Sequence, residues 1–219
     1  MRNFKYFLAI LAALLLGTLA CESTPEAAEP ETEAGSSVLF QDDFSNPDSG
    51  WDVYADEIAT NEYTADKFSI AVHQPGYYSW ANPQQDFSDV HIEVNAQKSA
   101  GEDDNYFGVL CRYQPDGGFY AFVISSDGYY GILKRTGEDD PYLIGSSEML
   151  ESSAINTGAD SNAIQVDCVG SELKLTVNDQ MLAQVVDGEY TSGDVGIVVA
   201  TLSAENTAVL FDDFSVRAP

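Results

Sequence analysis

The sequence predicts an all-β fold of two packed antiparallel sheets, and three observations carry that prediction. From Val38 onward apolar and polar residues alternate in short runs, the period of a strand with one buried face. Clusters such as "PDGG", "SDG", "GEDDP" and "VDGEYTSGD" separate the runs, and their Gly, Pro and Asp supply turn conformations. No segment after Val38 sustains an apolar stripe at helical spacing.

Taken in chain order, the first segment stands apart from the fold. "MRNFKYFLAILAALLLGTLAC" has a basic start (Arg2, Lys5), an apolar run and a small-residue end, the pattern of a secretory leader and too short an apolar run for a membrane-spanning helix. It resembles a bacterial lipoprotein signal, although Thr18 and Leu19 depart from the usual residues before the cysteine. The resemblance implies residues 1–21 as the signal, with Cys21 lipidated and the acyl chains as the membrane anchor. Residues 22–37 hold five Glu, two Pro and no large apolar side chain, which predicts an acidic, disordered tether. Residues 38–219 are then one domain with a sizeable core.

Within that domain the runs are "VLFQDD", "KFSIAVH", "DVHIEVNAQ", "YFGVLCRY", "FYAFVIS", "YYGILKR", "AIQVDCV", "ELKLTVN", "MLAQVV", "DVGIVVA" and "AVLFDDFSV". Their number fits two sheets of about six strands better than a small barrel. The first and last runs nearly repeat one another, as "VLFQDDFSN" and "VLFDDFSVR". With no further copy between them they are not a repeat unit, and they read as paired end strands closing the sandwich. Alignment on "DDFS" turns Phe44 and Phe214 inward together with Asp42 and Asp212. Inward carboxylates need hydrogen-bond donors or a cation. Loop amides are the first expectation for these two, and a shared structural calcium is the alternative.

Charge bounds the partners. Without Arg2 and Lys5, seven basic residues face thirty-six acidic ones, a net charge near −29. That sign opposes binding to nucleic-acid phosphates or to an anionic membrane surface, so the expected membrane contact is through the lipid alone. Cys111 and Cys168 end alternating runs that place both thiols inward, and in an oxidising compartment they predict a disulfide; two unpaired core thiols are the alternative.

The strings "SGW", "NYFGVLCRY", "FYAFVISSDGYYGILKR", "LKLTVNDQMLAQVVDGEYTSGDVGIVV" and "VLFDDFSV" resemble the concanavalin A-like, laminin-G-like jelly roll. That architecture hosts lectins, adhesion modules, glucanases and domains related to the 3-keto-glycoside hydrolase group, so the resemblance implies fold more than activity. The Asn-Gly common at one hairpin of such domains is Asn178-Asp179 here.

Catalytic strings are largely missing: no G-x-S-x-G, H-E-x-x-H, Gly-Lys phosphate loop or G-x-G-x-x-G occurs. In "DVHIEVN", Asp89, His91, Glu93 and Asn95 share one face, a spacing that suits a glycosidase acid pair and equally the wet side of any half-buried strand. "GEDDN" and "GEDDP" offer oxygen ligands without the spacing of a calcium loop. Aromatics are the better clue. In "HQPGYYSWANP", Tyr78 and Trp80 share a face among polar residues, where flat rings can stack on sugars or fill the core. Arg112, Tyr120 and Tyr130, with Tyr129, would extend a concave platform. The expected protein is a monomeric, non-catalytic binding module outside the cytoplasm, with a glycan or another extracellular ligand and no cofactor. The alternatives are a glycoside-processing hydrolase of the 3-keto-glycoside hydrolase-like type and a protein-binding adhesive domain.

Overall fold

The computed structural model describes residues 37–219; the leader, Cys21 and the acidic segment up to residue 36 lie outside the described residues. Among the described residues no helix forms, and the strands in chain order are β1 (Val38–Asp42), β2 (Tyr54–Ala55), β3 (Ala59–Thr64), β4 (Lys67–Val72), β5 (Tyr78–Ala81), β6 (Asp86–Phe87), β7 (Val90–Ala100), β8 (Asn105–Tyr113), β9 (Phe119–Ile124), β10 (Tyr129–Arg135), β11 (Tyr142–Ile144), β12 (Leu150–Glu151), β13 (Asn162–Val169), β14 (Glu172–Val177), β15 (Gln180–Val186), β16 (Gly193–Thr201) and β17 (Thr207–Arg217).

They pair antiparallel in two sheets. The first runs β15-β14-β13-β7-β17-β4-β3-β2, with β1 also on β17; the second runs β11-β10-β9-β8-β16-β5, with β12 on β10 and β6 on β16. The sheets therefore hold nine and eight strands rather than about six each. The surplus comes from short strands such as β2, β6 and β12 and from β3, whose polar "ATNEYT" has little apolar alternation. The β3–β4 turn has positive φ at Ala65 (48°) and Asp66 (59°), the mirror-image turn geometry that matches strand twist, without any glycine to announce it. Asn178 (49°) and Asp179 (65°) make the equivalent turn between β14 and β15.

The two sheets bury side chains differently. Strands β7, β13 and β14 of the first alternate between buried and wet positions. In the second, β9 is buried throughout and β8 and β16 nearly so. The second sheet is therefore apolar on both faces. One face meets the first sheet through residues such as Phe68, Ile92, Phe107, Val109, Phe122 and Phe211. The other carries a separate cluster over Leu110, Phe119, Ala121, Val123, Leu133 and Val198.

Cys111 and Cys168 form the expected disulfide, which joins β8 in one sheet to β13 in the other across the sandwich rather than linking neighbours within a sheet.

The end strands do pair: β1 lies antiparallel to β17 with Asp42 opposite Phe214. The two aspartates, however, are not equivalent. Asp42 is buried; its Oδ1 accepts the Phe44 N–H at 2.8 Å and its Oδ2 accepts the Trp51 indole N–H at 2.9 Å. In β17 a bulge follows Asp212, with Asp213 at φ 53°, and one extra residue reverses the alternation. Asp212 is thereby turned away from the core, pairs with Lys67 and accepts the Asp213 N–H. The expectation that both carboxylates turn inward is corrected accordingly: Asp42 meets a loop amide and an indole inside, whereas Asp212 faces away from the core. Among the described residues no group of three or more His, Cys, Asp or Glu side chains is arranged to hold a metal ion.

Candidate functional site

The outer face of the second sheet gathers a cluster of buried and half-buried aromatic side chains. Strand β5 ends this sheet, antiparallel to β16, with Tyr78 opposite Ala200 and Trp80 opposite Val198. Ser79 and Ala81 turn inward, so Tyr78 and Trp80 turn out together. Their rings stack at 5.7 Å between centroids and 25° between planes. Farther along the Trp80 row lies Gly108, opposite Val198; a Cβ there would fall 1.9 Å from the Phe122 carbonyl oxygen, so only glycine fits. The indole also packs against Tyr113 and Phe119, each at 6.0 Å. The Arg135 guanidinium covers the group, 5.5 Å from the Trp80 centroid and 5.9 Å from those of Tyr78 and Phe119.

Tyr113 reaches this face because of a bulge. Leu110 pairs with Gly196 and Tyr113 with Asp194, so two residues of β8, Cys111 and Arg112, oppose one of β16, and Arg112 takes φ 55°. The extra residue moves Tyr113 onto the outer face in the place that strict alternation assigns to Arg112. Arg112 is instead fully buried at one end of the sandwich, donating to the Ser88 and Tyr190 carbonyls and to Asp89. Arg112 is therefore not part of an exposed platform.

Tyr120 and Tyr130 also leave the expected set. Both point between the sheets, on the face opposite to Trp80. Tyr120 is fully buried with its hydroxyl on Asp187, and Tyr130 packs against the main core. Beside Tyr120, the buried Lys134 pairs with Asp187 at 2.7 Å and Glu189 at 2.6 Å. Burial works against the Lys134 charge, but these two carboxylates outweigh it and raise its pKa.

At the open side of the Trp80 cluster two recesses adjoin at Asp52. One, about 360 Å³, is lined by Asp52, Val53, Tyr54 and Trp80. The other, about 520 Å³, includes Asp52, Asn82, Gln84, Tyr113, Gln114 and Asp194 in its wall. Asp52 accepts the Asn82 N–H at 3.2 Å and the Gln84 side-chain amide at 2.9 Å, and the Tyr54 hydroxyl meets Ser79 Oγ at 2.6 Å. Asp194 Oδ1 accepts the N–H groups of Gln85 and Val195 at 3.0 and 2.8 Å. Burial nonetheless pushes the Asp194 carboxyl up to about 6, with the Asp52 charge adding to the shift. The cleft thus combines ring faces, side-chain amides and carboxylate acceptors on one rim, the groups that stack on and hydrogen-bond a polyhydroxylated ligand.

The outer face of the first sheet offers a different surface. Its recess of about 670 Å³ is lined by polar side chains including Gln41, Glu93, Asn95, Asp213 and Arg217. Across the strands Glu93 faces Ser215 and Gln165 rather than a second acid. His91 contacts Asp167 at 2.5 Å, and Asp167 also binds Lys174 at 2.8 Å. Burial raises the Asp167 pKa, but Lys174 and His91 more than offset it and hold the carboxyl below its ordinary value. This is a solvated, self-paired face with no exposed ring on its floor.

Of the platform read from sequence, the structure brings together Tyr78 and Trp80 and replaces the rest by Tyr113, Phe119, Arg135 and the cleft residues Asp52 and Asp194. Phe119 was hidden because β9 is apolar on both faces, so alternation carries no sign of which side is out. Asp52 lies in a loop, where spacing carries no directional information.

No protein-family model and no curated protein sequence matches the chain. Among solved structures it is similar to the carbohydrate binding module CBM66 from Bacillus subtilis, with a TM-score of 0.62 and 14% identity over 78% of this chain and 96% of that one. It is also similar to a Bacillus licheniformis beta-glucanase, with a TM-score of 0.56 and 12% identity over 82% of this chain and 98% of that one. The fold is a concanavalin A-like jelly roll. A Bacillus subtilis protein of unknown function with a galectin-like fold is another jelly-roll neighbour, at a TM-score of 0.60 and 9% identity over 83% and 96% of the two chains. At these identities the likeness establishes the jelly roll and leaves the chemistry to the residues of this chain.

Proposed function

We propose that this chain is a non-catalytic carbohydrate-binding module whose ligand lies in the cleft between Trp80, Tyr54 and Tyr113. The observation that carries the reading is the meeting of ring surfaces with Asp52, Asn82, Gln84, Gln114 and Asp194 on one open rim. Sugar C–H faces stack on the rings, and hydroxyls donate to the carboxylates and exchange hydrogen bonds with the amides. The fold supports the reading, since similar structures include a carbohydrate binding module and glycan-processing enzymes.

The test is a glycan array probed with the full-length protein and with Trp80→Ala. Retention of a defined glycan set by the parent, lost in the variant, supports the proposal; retention unchanged in Trp80→Ala overturns the placement of the site.

A hydrolase reading has one observation in its favour: Asp194 shares a recess with a second carboxylate, Asp52, and burial raises the proton affinity of Asp194, as a general acid requires. Reducing-end release from a retained glycan, abolished by Asp194→Asn, would establish it over simple binding.

The leader pattern and the acidic segment support a location outside the cytoplasm, with Cys21 lipidated and the domain carried as a monomer on residues 22–37. Metabolic labelling with an alkyne fatty acid, absent in Cys21→Ser, tests the anchor.

A further inference from the structure

Two basic side chains of the described residues, Arg135 and the exposed Arg217, form no salt bridge within the domain, and of these Arg135 is the one that lies over aromatic rings. Lys67, Lys98, Arg112, Lys134 and Lys174 each pair with a carboxylate within the domain. Arg135 has no carboxylate partner among the described residues; its Nε donates to the Asp139 carbonyl at 2.9 Å and a terminal nitrogen to the Gly117 carbonyl at 2.8 Å. Those carbonyls belong to two separate turns, the one joining β8 to β9 and the one joining β10 to β11. The side chain therefore bridges two turns across the aromatic cluster, above Tyr78, Trp80 and Phe119.

Its placement divides the cluster. Trp80 and Tyr113 each line an open recess, whereas neither Tyr78 nor Phe119 belongs to the walls of those recesses. A planar cation over rings gains electrostatic attraction and apolar contact from its stem, so the covered half is stable without ligand.

We propose that Arg135 sets the length of glycan this site accepts, closing the platform at Trp80 so that a sugar chain ends there instead of continuing over Tyr78 and Phe119. The inference rests on the glycan reading of the cleft. Removing the guanidinium would uncover two rings that adjoin Trp80 and convert a short site into a longer one.

The test uses the full-length protein and Arg135→Ala in two measurements. The first is acrylamide quenching of tryptophan fluorescence. The protein has two tryptophans, and Trp51 is only 4% exposed, so the quenchable component reports Trp80. Arg135→Ala is expected to raise its quenching constant by about twofold or more, because the cover over the ring is a surface contact of modest strength. Arg135→Lys, which keeps charge and stem but lacks the fork that spans both carbonyls, is expected to fall between the two and also serves if the alanine variant folds poorly. Unchanged quenching in both variants overturns the proposal.

The second measurement is affinity for β-glucan and xylan oligosaccharides from disaccharide to hexasaccharide, with array glycans as a wider probe. The parent is expected to reach a plateau at short length, and Arg135→Ala to go on gaining about threefold to tenfold with further sugars as Tyr78 and Phe119 become stacking surfaces. Identical length profiles overturn the proposal. Retention of no glycan by either protein overturns the carbohydrate reading and the length rule with it, while the quenching result separately shows whether Arg135 covers the ring.

Discussion

Trp51 and Asp42 are joined by a buried hydrogen bond, the indole Nε1 donating to Oδ2 at 2.9 Å. Trp51 in turn packs edge-on against Phe214 at 4.9 Å and tilted against Phe44 at 5.2 Å. One carboxylate thus fixes the ring that seals the end where β1 meets β17. Asp42→Ala should lower stability by about 1–3 kcal/mol, because the indole and the Phe44 amide are left buried without an acceptor. Asp212→Ala removes a partly exposed ion pair with Lys67 and an exposed acceptor for the Asp213 N–H, which water can replace, and should change stability by about 1 kcal/mol or less. Urea denaturation of the two variants separates these values; equal losses would contradict the inward and outward assignments.

The disulfide should behave as a fully enclosed staple. Cys111 and Cys168 are both 0% exposed and close a loop over a sequence separation of 57. The double variant Cys111→Ala, Cys168→Ala should lose about 2–4 kcal/mol. Dithiothreitol under native conditions should leave the bridge intact, with reduction following unfolding; thiol labelling with and without urea checks both statements.

Asp194 makes an unusual contribution to pH dependence. Its folded pKa of about 6 lies above the ordinary 3.8, so between those values the folded form holds a proton that the unfolded chain has lost. Protons then favour folding, and this contribution to stability should rise as pH falls through about 6 and level off below the ordinary value. Asp167 and Asp187 act in the opposite sense. Burial raises both, but Lys174 with His91, and Lys134 with Tyr120, outweigh it and hold them below the ordinary value, so their contribution is lost as pH falls further. Thermal melts from pH 7 to pH 3 should show a maximum between the two regimes, and Asp194→Asn should abolish the rise on its alkaline side.

The cleft and the buried platform candidates should separate in their responses. Trp80→Ala and Tyr113→Ala are expected to weaken a retained glycan by about threefold to tenfold, the range of an aromatic contact. Arg112→Ala is expected to destabilise the fold by about 3 kcal/mol or more, since it removes a buried guanidinium and leaves the Ser88 and Tyr190 carbonyls without their donor. Tyr120→Phe, which frees Asp187 of one donor, should act on stability and leave glycan affinity unchanged. Isothermal titration beside urea melts distinguishes the two classes of effect.

Much of this was available before any fold was known. Period-two alternation in strings such as "AIQVDCV" determined the all-β class, the inward faces of β7, β13 and β14, and the burial of both cysteines, because a strand in a half-wet sheet must place every second side chain in the core. The near-repeat at the two ends determined that β1 and β17 would be partners. It could not determine where the backbone breaks step. The bulge after Asp212 and the one at Arg112 each insert a residue whose only local sign is a positive φ, and each moves a charged side chain to the other side of its strand. Only the tertiary structure decided that Asp212 meets Lys67 rather than Asp42, and that Tyr113 rather than Arg112 joins Trp80. It also decided that the second sheet is apolar on both faces, which erased the alternation of β9 and with it the position of Phe119. Strand direction is a local property and can be read from neighbours in sequence, whereas the cleft joins a loop at Asp52, an edge strand at Trp80 and a bulged strand at Tyr113, whose proximity exists only once the sheet has formed.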